Sequence, residues 1–128
     1  MKNRAVIGLG SNIDPNKNIA KAKQALEKHF GVAGQSRFLV TKPVGKIKQA
    51  DFVNGAVAIE TDLSLDELKN QLKELETALG RKPSVEKYGP REIDLDILVW
   101  NDAVIDKHFY ERDFLKNSVL ELIPNLKY

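Results

Sequence analysis

The sequence contains no cysteine, which excludes disulfide stapling, thiolate metal ligands and a thiol nucleophile. It also lacks any apolar run of membrane-spanning length. Met1 is followed by Lys2, Asn3 and Arg4 and then only by a short apolar stretch to Leu9, so neither a signal-peptide core nor a membrane partner is expected. A cytoplasmic location follows as the default. Glycine-rich nucleotide loops are absent as well. Gly8-Leu9-Gly10 begins a dinucleotide fingerprint, but Ile13 stands where its third glycine belongs, and no P-loop run occurs anywhere. Charge of one sign is scarce: the formal net charge is +2, too small an excess to argue for nucleic acid and compatible with an anionic small molecule.

What is present suffices for one core. At 128 residues and 42% apolar content, the chain reads as a single domain over residues 1–128, with no internal repeat and no low-complexity tract. It is organised around Gly89-Pro90-Arg91-Glu92-Ile93-Asp94-Leu95-Asp96-Ile97-Leu98-Val99-Trp100. From Ile93 this is a strand. Period-two alternation puts Ile93, Leu95, Ile97 and Val99 on one face and Asp94, Asp96, Leu98 and Trp100 on the other. The two aspartates then project together, with Cα atoms about 7 Å apart. Such carboxylates repel when bare and suit a hard cation or a phosphate-bridged pair of cations. Arg91 lies three residues before Asp94, so a guanidinium fork converges on the same strand end, an arrangement that phosphoryl transfer requires. An arbitrary Asp-x-Asp is more often an exposed strand face, and only the surrounding residues decide between the two.

Other elements follow in order. Ala5 to Gly10 is a buried-type strand. Asp14-Pro15 reads as an N-cap with proline at the first helical position, and Ile19, Ala22, Leu26 and Phe30 form the apolar stripe of a helix that Gly31 ends. His29 near that end is structural. Arg37 to Thr41 is a second strand, and Lys42 to Asp51 a long polar loop that suits a lid. Phe52 to Glu60 is a third strand, in which Phe52 and Asn54 share a face with Ala56 and Ala58. The ring can stack on a planar heterocycle while the amide both donates to and accepts from its edge. Ser64 and Glu67 form a capping box before a leucine stripe, Leu65, Leu68, Leu72, Leu75 and Leu79, with Gly80 at its end. Beyond it Arg81, Lys82 and Lys87 bracket a second expected mobile loop, whose cations suit a triphosphate lying beside the paired carboxylates. Asn101-Asp102 makes a turn, Val104-Ile105 pairs back as a short strand, and Asn117 to Leu122 is a last helix stopped by Pro124.

The run Gly-Pro-Arg-Glu-Ile-Asp-Leu-Asp-Ile-Leu resembles the signature of the 6-hydroxymethyl-7,8-dihydropterin pyrophosphokinases, and Gly-Leu-Gly-Ser-Asn at residues 8–12 is similar to their opening strand. Arg112-Asp113-Phe114-Leu115 is similar to their C-terminal arginine and aromatic. The resemblance spans Val6 to about Pro124. It implies a ferredoxin-like α+β sandwich, a mainly antiparallel sheet with helices over one face, in the order strand, helix, strand, strand, helix, strand. It also implies transfer of a pyrophosphoryl group from ATP to the pterin alcohol with two Mg²⁺ ions, by a monomer acting on small molecules. By the resemblance, Asp94 and Asp96 hold the metals and Arg81 and Arg91 contact phosphate. Glu76, Lys82, Lys87, Tyr88, His108 and Arg112 surround the nucleotide. Phe52, Asn54 and Phe114, with Asp94, bind the pterin, whose edge Thr41 and Val44 line. The chain departs from the pattern in one place: a longer segment with a Pro-His pair is common before the arginine, and here only Asp106 to Glu111 stands there. The rival class, an RNA-binding sheet, needs neighbouring aromatics, yet the third strand shows alanines beyond Phe52 and Asn54.

Overall fold

A computed structural model describes residues 2–45, 47–83 and 89–128. The fold is α+β, an open antiparallel sheet with helices packed on it. The strands are β1 (Asn3–Ser11), β2 (Gly31–Gln35), β3 (Leu39–Thr41), β4 (Phe52–Thr61), β5 (Asp94–Trp100) and β6 (Ala103–Val104), and the helices are α1 (Pro15–His29), α2 (Leu65–Ala78), α3 (His108–Glu111) and α4 (Asp113–Leu122). Strand order is β2-β4-β1-β5-β6, with β3 also paired to β4. Among the described residues no helix is long and apolar enough to cross a membrane.

Central β1 is buried along most of its length because it is covered on both faces. Ala5, Ile7 and Leu9 join Val57, Ile59, Ile93, Leu95 and Ile97 beneath the apolar stripes of α1 (Ile19, Ala22, Leu26) and α2 (Leu68, Leu72, Leu75). Each valine, leucine and isoleucine among them contributes about 1.5–3 kcal/mol by leaving water. The opposite face carries a second core in which Val6, Ala56, Leu98 and Val99 meet Phe109, Val119 and Leu126. Helices therefore cover parts of both faces rather than one, because α4 begins at Asp113, four residues before the expected Asn117, and lays its apolar side on the sheet.

Other expectations shift for physical reasons. Gly31 does not cap α1 but opens β2, which runs directly out of the helix beside β4; its Val-Ala-Gly sequence is too short and exposed to carry a strand signal. The strand expected from Arg37 shortens to Leu39–Thr41. Phe38 instead covers Gly55, where an added Cβ would lie 2.5 Å from its ring. Asp14 takes the cap position of α1 with a left-handed backbone (φ 41°) and no side-chain cap bond. Alternation along β5 breaks after Ile97. The register with β1 slips between Val6 and Ile7, pairing Val6 with Val99 and Ile7 with Ile97, so Leu98 is the extra residue of a bulge. Val99 consequently joins the α4-side core with Leu98, while Trp100 packs against the core under α1 and α2. Asn101 and Asp102, both at positive φ, make the tight turn into β6, which starts at Ala103 rather than Val104.

The capping box of α2 forms as expected, Ser64 and Glu67 each accepting from the other's backbone N–H. At the other end Gly80, at φ 101°, turns the chain back so that its N–H donates to the Thr77 carbonyl and that of Arg81 to the Glu76 carbonyl. This closed helix end brings the Arg81 side chain over the last buried residue of α2.

Candidate active site

Three adjacent strands build the floor of a cleft on the face opposite α1 and α2. Register places Asp94, Gly10, Asn54 and Leu39 in one row across β5, β1, β4 and β3, and Asp96, Gly8 and Ala56 in the next. Cross-strand partners project to the same face. Between the carboxylates and the amide therefore lie two positions with no side chain. A Cβ on Gly10 would sit 2.6 Å from Asn54 Oδ1, and one on Gly8 would sit 3.0 Å from Leu98 Cδ1. The glycines that begin a dinucleotide pattern thus serve to leave space. A period-two pair of glycines in a buried strand, matching the period-two pair of aspartates, is the sequence signal for them.

The cleft is lined by Thr41, Lys42, Val44, Phe52, Asn54, Arg91, Asp94, Asp96, His108, Arg112 and Phe114, above Gly8 and Gly10. Every residue expected to bind the heterocycle is among them. The Asn54 amide donates to Thr41 Oγ1, which leaves the amide oxygen directed along the row toward Gly10. A second cleft continues past Asp96, Asp106 and His108 and is walled by Lys69, Lys73, Glu76, Arg81 and Lys107. Asp96 and His108 stand at the junction, where a ligand reaching both clefts must pass.

Charges are paired unevenly. Arg81 lies 2.9 Å from Glu76 Oε2 and 3.0 Å from Asp94 Oδ1, so one guanidinium joins the end of α2 to the start of β5. Glu76 also accepts from the N–H of Leu95 at 2.7 Å, which satisfies the strand edge that β6 does not reach. Burial raises the Glu76 carboxyl above its usual range despite the Leu95 N–H and Arg81. Burial likewise outweighs Arg81, Arg91 and Arg112 and raises Asp94. Asp96 is pushed to about 7, first by the cleft walls that displace water from it and then by the negative charges of Asp94, Glu76 and Asp106, which Arg81 opposes. Its side chain nevertheless remains open to the cleft.

These oxygens fit a hard divalent cation. Asp94 and Asp96 supply carboxylate donors, of which Asp96 faces more negative than positive charge, and no group of three or more His, Cys, Asp or Glu poised to enclose a metal occurs among the described residues. Mg²⁺ is suited to such a partial shell, completed by water and phosphate oxygens.

Arg91 is buried, its Nη1 donating to the carbonyls of Gly89 and Pro90 and its Nε lying 3.8 Å from Asp94 Oδ1. His108 lines both clefts, with Nδ1 3.0 Å from Glu111 Oε2, whereas Tyr110 is exposed and lines neither. The shortened segment therefore offers its histidine to the site. Lys82 lines neither cleft; its backbone N–H meets Glu92 and its side chain is exposed. Lys87 and Tyr88 lie outside the described residues. Asp106, which charges the junction and accepts from the His108 N–H at 2.8 Å, escapes sequence reasoning, since nothing in the sequence brings it near β5.

A family model described as 7,8-dihydro-6-hydroxymethylpterin-pyrophosphokinase matches residues 6–124. The chain is 38% identical over 138 residues to a Bacillus subtilis protein named 2-amino-4-hydroxy-6-hydroxymethyldihydropteridine pyrophosphokinase, covering 99% of this chain and 82% of that one. It is 36% identical over 129 residues to a protein of the same name from Aquifex aeolicus, covering 94% and 80% respectively. A folate synthesis bifunctional protein of Arabidopsis thaliana is 35% identical over 128 residues, which span 92% of this chain and 26% of that protein. With the signature strand, the glycine-floored cleft and these relatives in agreement, the chain belongs to the 7,8-dihydro-6-hydroxymethylpterin-pyrophosphokinase family.

Proposed function

We propose that the chain transfers the pyrophosphoryl group of ATP to the hydroxyl of 6-hydroxymethyl-7,8-dihydropterin, a step of folate biosynthesis. The observation that carries this reading is the row Asn54, Gly10, Asp94, which sets a heterocycle-binding amide and a phosphate-side carboxylate on one floor with open space between. The pterin ring lies over Gly10, its edge paired to the Asn54 amide, with Phe52 and Phe114 as its aromatic walls and Thr41 and Val44 along its rim. Its hydroxymethyl group then points toward Asp94 and Asp96. The triphosphate occupies the adjoining cleft, bordered by Glu76, Arg81 and His108, with Arg91 and Arg112 on the pterin side of the junction.

Asp94 and Asp96 would hold two Mg²⁺ ions, which would supply neutralisation of the phosphate charge. The residues do the rest by positioning. The hydroxymethyl oxygen forms a bond to the β-phosphorus, the bond from that phosphorus to the α,β-bridging oxygen breaks with its electron pair leaving on AMP, and the hydroxyl proton is released. No protein nucleophile takes part. Arg81, fixed between Glu76 and Asp94, presents its charge where negative oxygens accumulate. The cleft is completed within one chain, which supports action as a monomer, and dependence on ATP supports a cytoplasmic setting. The sheet order, with β1 between β4 and β5, supports the finer reading of the fold as ferredoxin-like.

The rival reading as an RNA-binding sheet loses support because β4 bears a single aromatic, the half-buried Phe52, on the face that would carry bases, and that face is partly covered by α4. The test is product analysis. With ATP, Mg²⁺ and the pterin alcohol, AMP and pterin diphosphate should appear in equal amounts, and ADP formation or pterin-independent hydrolysis would overturn the assignment.

A further inference from the structure

Asn12, just past the end of β1, is buried and does not itself line the cleft, yet it binds both segments that frame it. Its Oδ1 accepts from the backbone N–H of Arg91 at 2.8 Å, and its own N–H donates to the Arg91 carbonyl at 3.1 Å. Its Nδ2 donates to Gln49 Oε1 at 2.8 Å and to the carbonyl of Ala50 at 2.9 Å. The orientation of this amide is not ambiguous, because one end faces a backbone N–H and the other a backbone carbonyl. We propose that Asn12 is a positioning residue that couples the two substrates of the reaction above, by fixing with a single amide both Arg91, which reaches the metal-side carboxylate of Asp94, and Gln49-Ala50, which lead into the pterin floor.

The two arms lead to different chemistry. Arg91, whose backbone is held by Asn12 at the entrance to β5, reaches Asp94 with its Nε at 3.8 Å. Ala50 lies two residues before Phe52, and the segment it ends begins at Thr41 and Val44, so the Nδ2 bonds set where the pterin rim meets the floor. A shift of either arm is passed to the other through a planar group with no freedom to satisfy one and abandon the other. Buried polar groups left unpaired are costly, so the clasp favours both arms seated or neither. Occupation of one substrate site, by seating its arm, should thereby favour the other.

The inference rests on the proposed function for its substrates but makes a claim about the amide that can be read separately. The carboxylate introduced by Asn12→Asp keeps an acceptor for the Arg91 N–H and replaces the donors to Gln49 and Ala50 by an acceptor, so it cuts one arm. Asn12→Ala removes the side-chain bonds of both arms and leaves only the backbone bond from the Asn12 N–H to the Arg91 carbonyl. In Asn12→Asp, KM for the pterin should rise about tenfold while affinity for a Mg²⁺-bound non-hydrolysable ATP analogue stays within about twofold of the unsubstituted protein. In Asn12→Ala, both affinities should fall and kcat should drop about tenfold. The tightening of pterin binding by the nucleotide analogue, measured by calorimetry, should disappear in both. Backbone amide exchange, which needs no turnover, should show Phe52 and its neighbours less protected in both variants and Arg91 less protected only in Asn12→Ala. Equal effects of the two variants on both ligands and both segments would overturn the coupling role, as would a lowered melting temperature with unchanged KM and unchanged coupling. If the unsubstituted protein makes no pterin diphosphate, the proposed function fails, while the exchange pattern still decides whether the clasp has two separable arms.

Discussion

Gly10→Ala tests whether the missing side chain is what makes room for the heterocycle. The new methyl would lie 2.6 Å from Asn54 Oδ1, closer than real Cβ contacts allow, and 4.0 Å from a Phe52 ring carbon. Since β1 is held on both sides by β4 and β5, the backbone cannot retreat and the Asn54 amide must rotate away. That rotation forfeits the bond to Thr41, worth about 0.5–1.5 kcal/mol, and leaves a strained side-chain torsion that costs about 0.5–1.5 kcal/mol. Those costs fall on the folded protein with or without ligand; binding weakens because the displaced amide leaves the pterin edge unpaired, about 1–3 kcal/mol or roughly 5- to 150-fold. Gly10 has no positive φ, so alanine suits its backbone and restricts the unfolded chain, which offsets about 0.4–1 kcal/mol of any native strain. Melting temperature should therefore fall modestly. Calorimetric titration of the pterin and, separately, of a nucleotide analogue with Mg²⁺ should show the loss confined to the pterin. Gly8→Ala supplies the comparison: its Cβ meets only the Leu98 side chain, at 3.0 Å and beyond, and that chain can turn aside. Pterin affinity within twofold of the unsubstituted protein in Gly10→Ala, or an equal loss for both glycines, would refute the reasoning.

Asp96→Ala and Asp94→Ala should each abolish turnover with the fold retained, because each removes a metal ligand while relieving repulsion in the metal-free state; turnover within a few-fold of the unsubstituted protein would sink the metal assignment. Asp96 also predicts a pH dependence: its folded-state pKa of about 7 exceeds the unfolded value, so the native state holds a proton that the unfolded chain releases above about pH 4. Its stability contribution is thus full below that pH and lost as pH rises toward 7, by about 4 kcal/mol if undiminished and about 1–2 kcal/mol given its exposure to solvent in the cleft. Denaturant midpoints in EDTA should show Asp96→Asn gaining on the unsubstituted protein from pH 5 to pH 8, a gap that Mg²⁺ narrows; a constant gap refutes the assignment. Glu76→Ala leaves the Leu95 N–H without its acceptor, so it should cost about 1–3 kcal/mol in thermal or urea unfolding as well as activity, and full stability would show that water replaces the carboxylate.

Which parts of this protein were legible in the chain follows from the range of the interactions involved. The Asp94-Asp96 pair and the Phe52-Asn54 pair were readable because period-two alternation is a property of one strand, and the α2 capping box because its bonds span three residues. The leucine stripe of α2 was readable for the same local reason. Alternation failed at Val99, where a bulge, created by pairing with β1, turns the strand over. It could not show that Gly8 and Gly10 lie between those two pairs, since that depends on β1 being the strand inserted between β4 and β5. Nor could it anticipate that α4 covers the second face, that Glu76 seals the edge of β5, or that Asn12 joins segments 37 and 79 residues away in the chain. The chain itself determined which side chains share a face and which chemistry they carry. The order of the strands decided which faces meet, because hydrogen-bonded register, unlike alternation, is settled only when distant segments pair and their loop-closure entropy is offset by the core they bury.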